Sequence, residues 1–577
     1  MNLAKNLFFL FSLLLFSCSE SPAPIDDPGK DPGGNGGGTT DPSLVTYDKA
    51  VVVPTIPAID ESDYTVYYVD PINGDDNNDG KSEAMAFKTL EKITGFSRDG
   101  FQPKTKVLLK SGAVFEENLV LKNLAGTPEK PFILDIYGGF VRPILKGSGD
   151  QVIMIQDDNM RLRNVHITNL SGTRGIRAQT QVKGAGAFKN IEITGCRIEG
   201  INWQGSAIFE NVDPANLNVE AIAPGNRFSN KEYGGIILET FTTVAQGPSW
   251  FENLFITNNE IKQVCRSAIL LTGKWAQRDK PGNGQNNYID DEHNWYPNRN
   301  VVIQGNDISY AGGDGVIMMG STNSYIDHNR CFHANFLSRN GQASAGLWPY
   351  SCTNIVMQFN EAAYTWLAHG SSDGEGLDVD MACKNTLIQY NYVHHNKGGG
   401  VLLCNNGGDH TGTIIRHNIF YKNAGSYRGS LMTVSGDVSK VKVYNNIVVM
   451  DSKTPIILLT DDWPKSGKSS EVHYFNNIFM GDAACTGVFN KGNMENPVFE
   501  NNLFFQLGSA YTIDNTALRY DPKISLPSSA DGFSKVMSFK PAEPNVFKDG
   551  LLFDGMPSKD ILGTDVTNIK FIGAIGK

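Results

Sequence analysis

Short apolar runs separated by polar turns recur along the chain. The repeated phrase is a short β-branched strand, then Asn, then an apolar residue. It reads FITNNEI (Asn259), VIQGNDI (Asn306), YIDHNRC (Asn329), VMQFNEA (Asn360), LIQYNYV (Asn391), IIRHNIF (Asn418), KVYNNIV (Asn446), HYFNNIF (Asn477) and VFENNLF (Asn502). Successive steps are 47, 23, 31, 31, 27, 28, 31 and 25 residues. Earlier copies, NVHITNL and NIEITGC, carry the pattern back towards residue 160. Apart from the first, these steps are one turn of a solenoid with loops of variable length. No amphipathic helix of ordinary length interrupts the strands. A coil of about 25 residues with three short strands suits an all-β, right-handed parallel β-helix. An Asn at one fixed turn of every coil predicts a ladder bonded from coil to coil, so these Asn read as structural.

After each phrase and a turn comes another strand. Aligned, these read GGIILE (234–239), SAILLT (267–272), DGVIMM (314–319), AGLWPY (345–350), EGLDVD (375–380) and GGVLLC (399–404). The first and third residues after the Gly-like position are apolar: Val316 and Met318, Leu347 and Pro349, Leu377 and Val379, Val401 and Leu403. Such positions share one face of a strand, here the interior. The opposite face then carries Ile317, Met319, Trp348, Tyr350, Leu402 and Cys404, and in one coil Asp378 and Asp380. Carboxylates at i and i+2 lie roughly 6.5–7 Å apart along a strand. Like charges that close raise one pKa, so one carboxyl holds a proton while the other is ionised. Cleavage of a glycosidic bond requires that division of roles. Asp378 and Asp380 are the expected pair and Glu375 a third carboxylate; Asp373 adds acidity from the preceding loop. The separation falls between the retaining and inverting ranges and leaves the stereochemistry open. A solvated acidic turn is the bland alternative, and calcium held by Asp373, Glu375, Asp378 and Asp380 is another. A hydrolase requires no cofactor, so calcium stands as an option only.

Aromatic residues surround this coil. Trp348 is expected beside Asp378 and Tyr350 beside Asp380, as exposed rings on which sugar faces stack. The loop before the strand brings Trp366 and His369. The insertion 273–300, behind the 47-residue step, holds Trp275, Tyr288, His293 and Trp295 and is expected to wall a cleft. Its Asp290, Asp291 and Glu292 read as a solvated run. In YNYVHHN, His394 and His395 fit a turn ladder, with His394 also a candidate to reach substrate.

Composition refines this picture. At about 150 residues per domain, 577 residues would suggest four domains; the repeat makes one solenoid of them. The 60 Gly fit repeated turns. A net charge of −11 argues against a nucleic-acid partner. At the N-terminus, Lys5 precedes an apolar run from Leu7 to Phe16, too short to span a bilayer and suited to a signal segment. Residues 19–44 are rich in Pro, Gly, Asp, Ser and Thr and read as a tether. The other cysteines (Cys196, Cys265, Cys331, Cys352, Cys383, Cys404 and Cys485) are odd in number and lack a CxxC, so they read as small buried apolar residues.

Several stretches resemble known families. Leu15-Phe16-Ser17-Cys18 resembles a bacterial lipobox, which implies cleavage before Cys18 and a lipid on it. The expected organisation is a signal at 1–17, a tether at 18–63 and a catalytic β-helix at 64–577. The expected product is a monomeric outer-membrane lipoprotein, at the cell surface or on the periplasmic face. YYVDPINGDDNNDGKSEAMAFKTLEKI (67–93) is similar to the N-terminal cap of secreted, pectate-lyase-like β-helix proteins that act on polysaccharides. Its Asp75, Asp76 and Asp79 read as a capping loop rather than a calcium site. DILGTDVTNIKFIGAIGK resembles the closing strand of the same group. EGLDVDMACKNTLIQYNYVHHN resembles the active-site coil of alginate epimerases, with Asp378 matching their aspartate. Glu375 and Asp380 replace the tyrosine and histidine that move protons there. Paired carboxylates are more similar to β-helical glycoside hydrolases. No Lys or Arg lies outward near Asp378 in the aligned strands, which counts against a lyase. The reading is therefore a surface glycoside hydrolase acting on a plant or algal polysaccharide. A calcium-assisted polysaccharide lyase and a non-catalytic glycan-binding β-helix are the alternatives.

Overall fold

A computed structural model describes residues 51–203, 230–243, 245–278, 295–337, 343–367, 373–423, 430–451, 456–459, 467–483, 485, 487–490, 492 and 494–577. Cys18 lies outside these residues. The paired strands run parallel, each bonded to the strand one coil away. One coil shows the plan: Leu347–Tyr350 lies in a first sheet, Thr353–Gln358 in a second and Glu361–Ala363 in a third. The next coil repeats it with Glu375–Val379, Lys384–Gln389 and Tyr392–His394. The third sheet has 13 strands. The first two are joined because Gly399–Thr411 and Ser430–Tyr444 each run around the corner between them. The three-strand coil expected from the sequence is what forms.

The interior is a column of stacked apolar side chains. Ile236, Ile269, Val316, Leu347, Leu377, Val401 and Met432 follow one another in register and are all buried. Six of the seven cysteines beyond Cys18 are buried as free thiols, and Cys485 is half-buried.

The Asn ladder forms as expected. The Asn360 side-chain carbonyl accepts from the Asn329 backbone N–H at 2.9 Å and from its Nδ2 at 3.1 Å. Asn360 Nδ2 donates to Asn391 Oδ1 at 3.0 Å and to the Ile326 carbonyl at 2.8 Å. The pattern runs from Asn259 to Asn502 and ends on the Asp514 carboxylate. The residue before each ladder Asn is left-handed, with φ of 50–57° at His328, Phe359, Tyr390, His417, Asn445, Asn476 and Asn501. That conformation turns the chain sharply from second to third sheet, and the buried Asn bonds hold it there.

The N-terminal cap is the helix Leu90–Asp99, which buries Leu90 and Ile93 against the first coil. Thr89 caps it by accepting from the Lys92 N–H. Asp76 accepts from the backbone of Lys88 and Thr89 and from the Thr89 hydroxyl, while Asp75 and Asp79 accept from Asn77 and Lys81. The trio thus serves the turn and the cap.

Two expectations change. Residues 51–63, read as the end of the tether, lie against the solenoid. The Pro57 carbonyl accepts from Arg161, Glu61 pairs with Lys106 and Arg163, and Val51 packs against Val356 and Leu387. The C-terminal residues do not add a closing strand. The last strand is Leu503–Phe505, and residues 506–577 form a strap over the outside of the third sheet. There Val536, Phe539, Val546 and Ile572 cover Tyr392, Ile419, Tyr421 and Ile447. The outer face of the third sheet is apolar at these positions and needs a cover; a further strand at the end of the coil would leave it wet.

Candidate active site

The strand Glu375–Val379 sits in the first sheet between Leu347–Tyr350 and Gly399–Thr411. Leu377 and Val379 point into the core and are fully buried. Gly376 also faces inward: a Cβ there would lie 2.5 Å from Asn396 Nδ2 and 2.6 Å from Val393 Cγ1. That is the physical need for glycine at this position of the coil. With 376 and 377 both turned inward, Asp378 and Asp380 fall on the outer face.

Outside the core, register sets a second column: Ile237, Leu270, Ile317, Trp348, Asp378, Leu402 and Thr433. The expectation that this face is open is not met. Ile317 is fully buried, and Trp348, Asp378 and Leu402 are only 4%, 5% and 8% exposed. Ile237, Leu270, Ile317, Ala345 and Trp348 make a small apolar cluster of their own, with Met319 and Tyr350 at its edge. Asp378 is therefore a carboxyl set in a mostly apolar surface. Asp380 is half-buried beside it; its amide donates to the Pro349 carbonyl at 3.0 Å, and the Cys404 thiol donates to its Oδ1 at 3.1 Å. Glu375 is buried and Asp373 half-buried at the start of the strand.

Trp348 is not an exposed platform. Its indole N–H donates to Asp314 Oδ1 at 3.0 Å, and the Lys231 ammonium lies 4.5 Å from the ring centroid. Tyr350, half-buried, stays at the edge of the cluster beside the Asp380 coil. Trp366 is buried with Phe336 and Leu337, so it supports the turn rather than a sugar. His394 is fully buried in the third sheet, with Nε2 3.1 Å from Glu361 Oε1, and does not reach the first sheet. His395 stacks on Tyr364, as a turn ladder requires. Trp275 is half-buried three coils from Asp378 and donates to Thr242 Oγ1 at 2.8 Å. Trp295 is buried beneath Arg278 and donates to the Ala276 carbonyl; it is packing, not a cleft wall. His369, Tyr288, Asp290, Asp291, Glu292 and His293 lie outside the described residues.

Three groups escaped the sequence reading. Asp314 is fully buried and pairs with Arg266 at 2.8 Å and Lys231 at 3.4 Å. It occupies the same outer position of its coil as Glu375 does two coils later, a correspondence visible in the aligned DGVIMM and EGLDVD. Lys231 comes from the segment before Gly234–Glu239, and its approach depends on coil stacking that no local motif reveals. The aligned strands themselves hold no Lys or Arg near Asp378, as expected; the cation that acts on it, Lys231, comes from outside them.

A model described as right handed beta helix region matches residues 246–448. The fold is a right-handed parallel β-helix. The lacto-N-biosidase of Bifidobacterium longum subsp. longum is 25% identical over 530 residues, covering 79% of this chain and 31% of that protein. This chain thus spans about a third of the length of that curated relative. The GH136 lacto-N-biosidase from Eubacterium ramulus superposes with a TM-score of 0.53 as its selenomethionine derivative and 0.51 as the native protein. Both share 20% identity and cover 71% of this chain; the match covers 67% and 68% of those chains. At that identity the likeness speaks for the fold.

The electrostatics single out Asp378. Burial pushes its carboxyl well above the usual carboxylate range, and Asp380, Asp373 and Glu375 push it further. Lys231 acts the other way. Asp378 Oδ1 is buried without a hydrogen-bond partner among the described residues. An outward carboxyl so placed holds its proton to higher pH than an ordinary carboxyl does, the direction a general acid requires. Among the described residues, no three His, Cys, Asp or Glu side chains are arranged as ligands of one metal ion.

Proposed function

We propose that the protein is a glycoside hydrolase with Asp378 as proton donor to the leaving oxygen. Asp380 is the second carboxylate, and Glu375 and Asp373 hold the local field negative. The observation that carries this reading is the Asp378 carboxyl: outward, buried among apolar side chains, and surrounded by three other carboxylates. A glycosidic oxygen is a poor leaving group until protonated, and a protonated carboxyl beside an ionised one supplies both roles. The relationship to a lacto-N-biosidase supports the same class of reaction. Its name points to lacto-N-biose units as one substrate, beside the plant and algal polysaccharides suggested by the pectate-lyase-like resemblance. In this reading a lipid at Cys18 holds the enzyme at the outer membrane, and the substrate is an extracellular glycan.

A calcium-assisted lyase is the second reading, favoured by one observation: Lys231 brings a basic group close to the carboxylates. Its ammonium is already engaged by Asp314, the Ala343 carbonyl and the Trp348 ring, which favours the hydrolase. The test is a panel of lacto-N-biose-terminated oligosaccharides and plant and algal polysaccharides, read for reducing ends and for ultraviolet absorbance of unsaturated sugars. Reducing ends without absorbance, unchanged by chelator, are expected. Unsaturated products that vanish with chelator and return with calcium would overturn the hydrolase reading. Full activity in both Asp378→Asn and Asp380→Asn would sink the site.

A further inference from the structure

The strongest unassigned feature outside the carboxylate pair is a buried charge cluster centred on Asp314, two coils before Asp378. Asp314 accepts from Arg266, whose side chain is almost fully buried, at 2.8 Å. It accepts from the Trp348 indole N–H at 3.0 Å and the Ala345 amide at 3.3 Å, and it pairs with Lys231 at 3.4 Å. Arg266 Nη1 also donates to Ser344 Oγ at 2.8 Å. Lys231 Nζ donates to the Ala343 carbonyl at 2.8 Å and sits over the Trp348 ring. The ring is thus held at its nitrogen by Asp314 and on one face by Lys231, and the residue before it, Leu347, pairs in register with Leu377, the residue before Asp378.

This exceeds what packing needs. A buried Arg–Asp pair would be neutral without Lys231. The lysine side chain is 27% exposed and gains little by burial. Its position instead brings a second cation to the rim of a cluster of four carboxylates. We propose that Lys231, fixed by Asp314 and the Trp348 ring, is a positioning residue of the reaction: it sets the field in which the Asp378–Asp380 pair divides its one proton. This rests on the reading of that pair as catalytic.

The groups facing Asp378 from the elements around it are Asp373, Glu375 and Asp380 on its own coil, Trp348 before it, Leu402 and Cys404 after it, and Lys231 from the segment before Gly234–Glu239. The groups facing Lys231 are Asp314, Arg266, Asp373, Asp380 and Trp348. Burial lowers the Lys231 pKa, opposed chiefly by Asp314. Lys231 draws Asp378 down, against its three neighbouring carboxylates. Removing it lets Asp378 hold its proton to higher pH and makes its ionised neighbours easier to protonate. Both limbs of the pH–rate profile then move upward.

The experiment is kcat/KM against pH for the wild type, Lys231→Met and Lys231→Arg on the best substrate of the panel, with Asp378→Asn alongside. Lys231→Met leaves Asp314 paired with Arg266, so the fold is kept; thermal unfolding checks this. The expected result is a profile shifted upward by roughly one pH unit in Lys231→Met and restored in Lys231→Arg. A folded Lys231→Met whose profile superposes on the wild type, with Asp378→Asn inactive, overturns the proposal and leaves the catalytic pair standing. An active Asp378→Asn overturns the catalytic reading itself. If Lys231→Met unfolds, Lys231→Gln at the same site gives the same comparison.

Discussion

Replacing Asn360 with Ala tests whether the Asn ladder holds the solenoid. Asn360 is fully buried, and its backbone is not in the left-handed region, so Ala is tolerated locally and the side chain alone is lost. Four hydrogen bonds go with it. The Asn391 carbonyl keeps the Asn360 backbone N–H at 3.0 Å. The Asn329 N–H, one Asn329 Nδ2 hydrogen and the Ile326 carbonyl are left without that partner, in an interior closed to water. Each buried polar group stranded in this way costs about 1–3 kcal/mol. Three such groups at the lower half of that range give about 3–6 kcal/mol. The assay is urea unfolding followed by circular dichroism, comparing midpoints at unchanged slope. The control is Asn300→Gly. Asn300 is half-buried and left-handed and makes one side-chain bond, to Asn253 at 2.6 Å; its loss should stay under about 1 kcal/mol. An Asn360→Ala protein destabilised no more than that control would refute the claim that the ladder, rather than apolar stacking alone, holds the turn.

Asp378→Asn should lower kcat by about 10²–10⁴ and also change stability in a pH-dependent way. The folded-state pKa of Asp378 is raised by burial and then by Asp380. Its contribution to stability is therefore present below the ordinary carboxylate range and lost as pH rises through the raised value. The variant should gain on the wild type as pH increases; a constant difference across pH would contradict the raised value. His394→Ala should cost about 2–3 kcal/mol, because it strips a partner from the buried Glu361, while kcat/KM of the folded protein stays unchanged. A fall in kcat/KM at full folding would return His394 to the site. Gly376→Ala should destabilise by about 1–3 kcal/mol, since its Cβ meets Asn396 and Val393. It should lower activity too, because it shifts the strand that carries Asp378; a neutral effect on both would show that the coil relaxes freely.

The repeat, the three-strand coil, the buried Asn ladder and the outward turn of Asp378 and Asp380 were legible in the sequence alone. All of these follow from local spacing. A period-2 strand sends alternate side chains to opposite faces, and a fixed turn places the same residue type at the same height in every coil. What faces the outer surface of a sheet is decided otherwise, by segments distant in sequence. The outer column around Trp348 is therefore buried where an open platform was expected, and the C-terminal residues cover the third sheet instead of closing the helix. Lys231 and Arg266 meet Asp314 from 83 and 48 residues away along the chain. Their encounter depends on how coils stack, a tertiary distance that no motif encodes. The reach of a buried charge is likewise set by what surrounds it in space, so the sequence could name the carboxylates, and only the fold could say which one burial pushes above the ordinary carboxylate range.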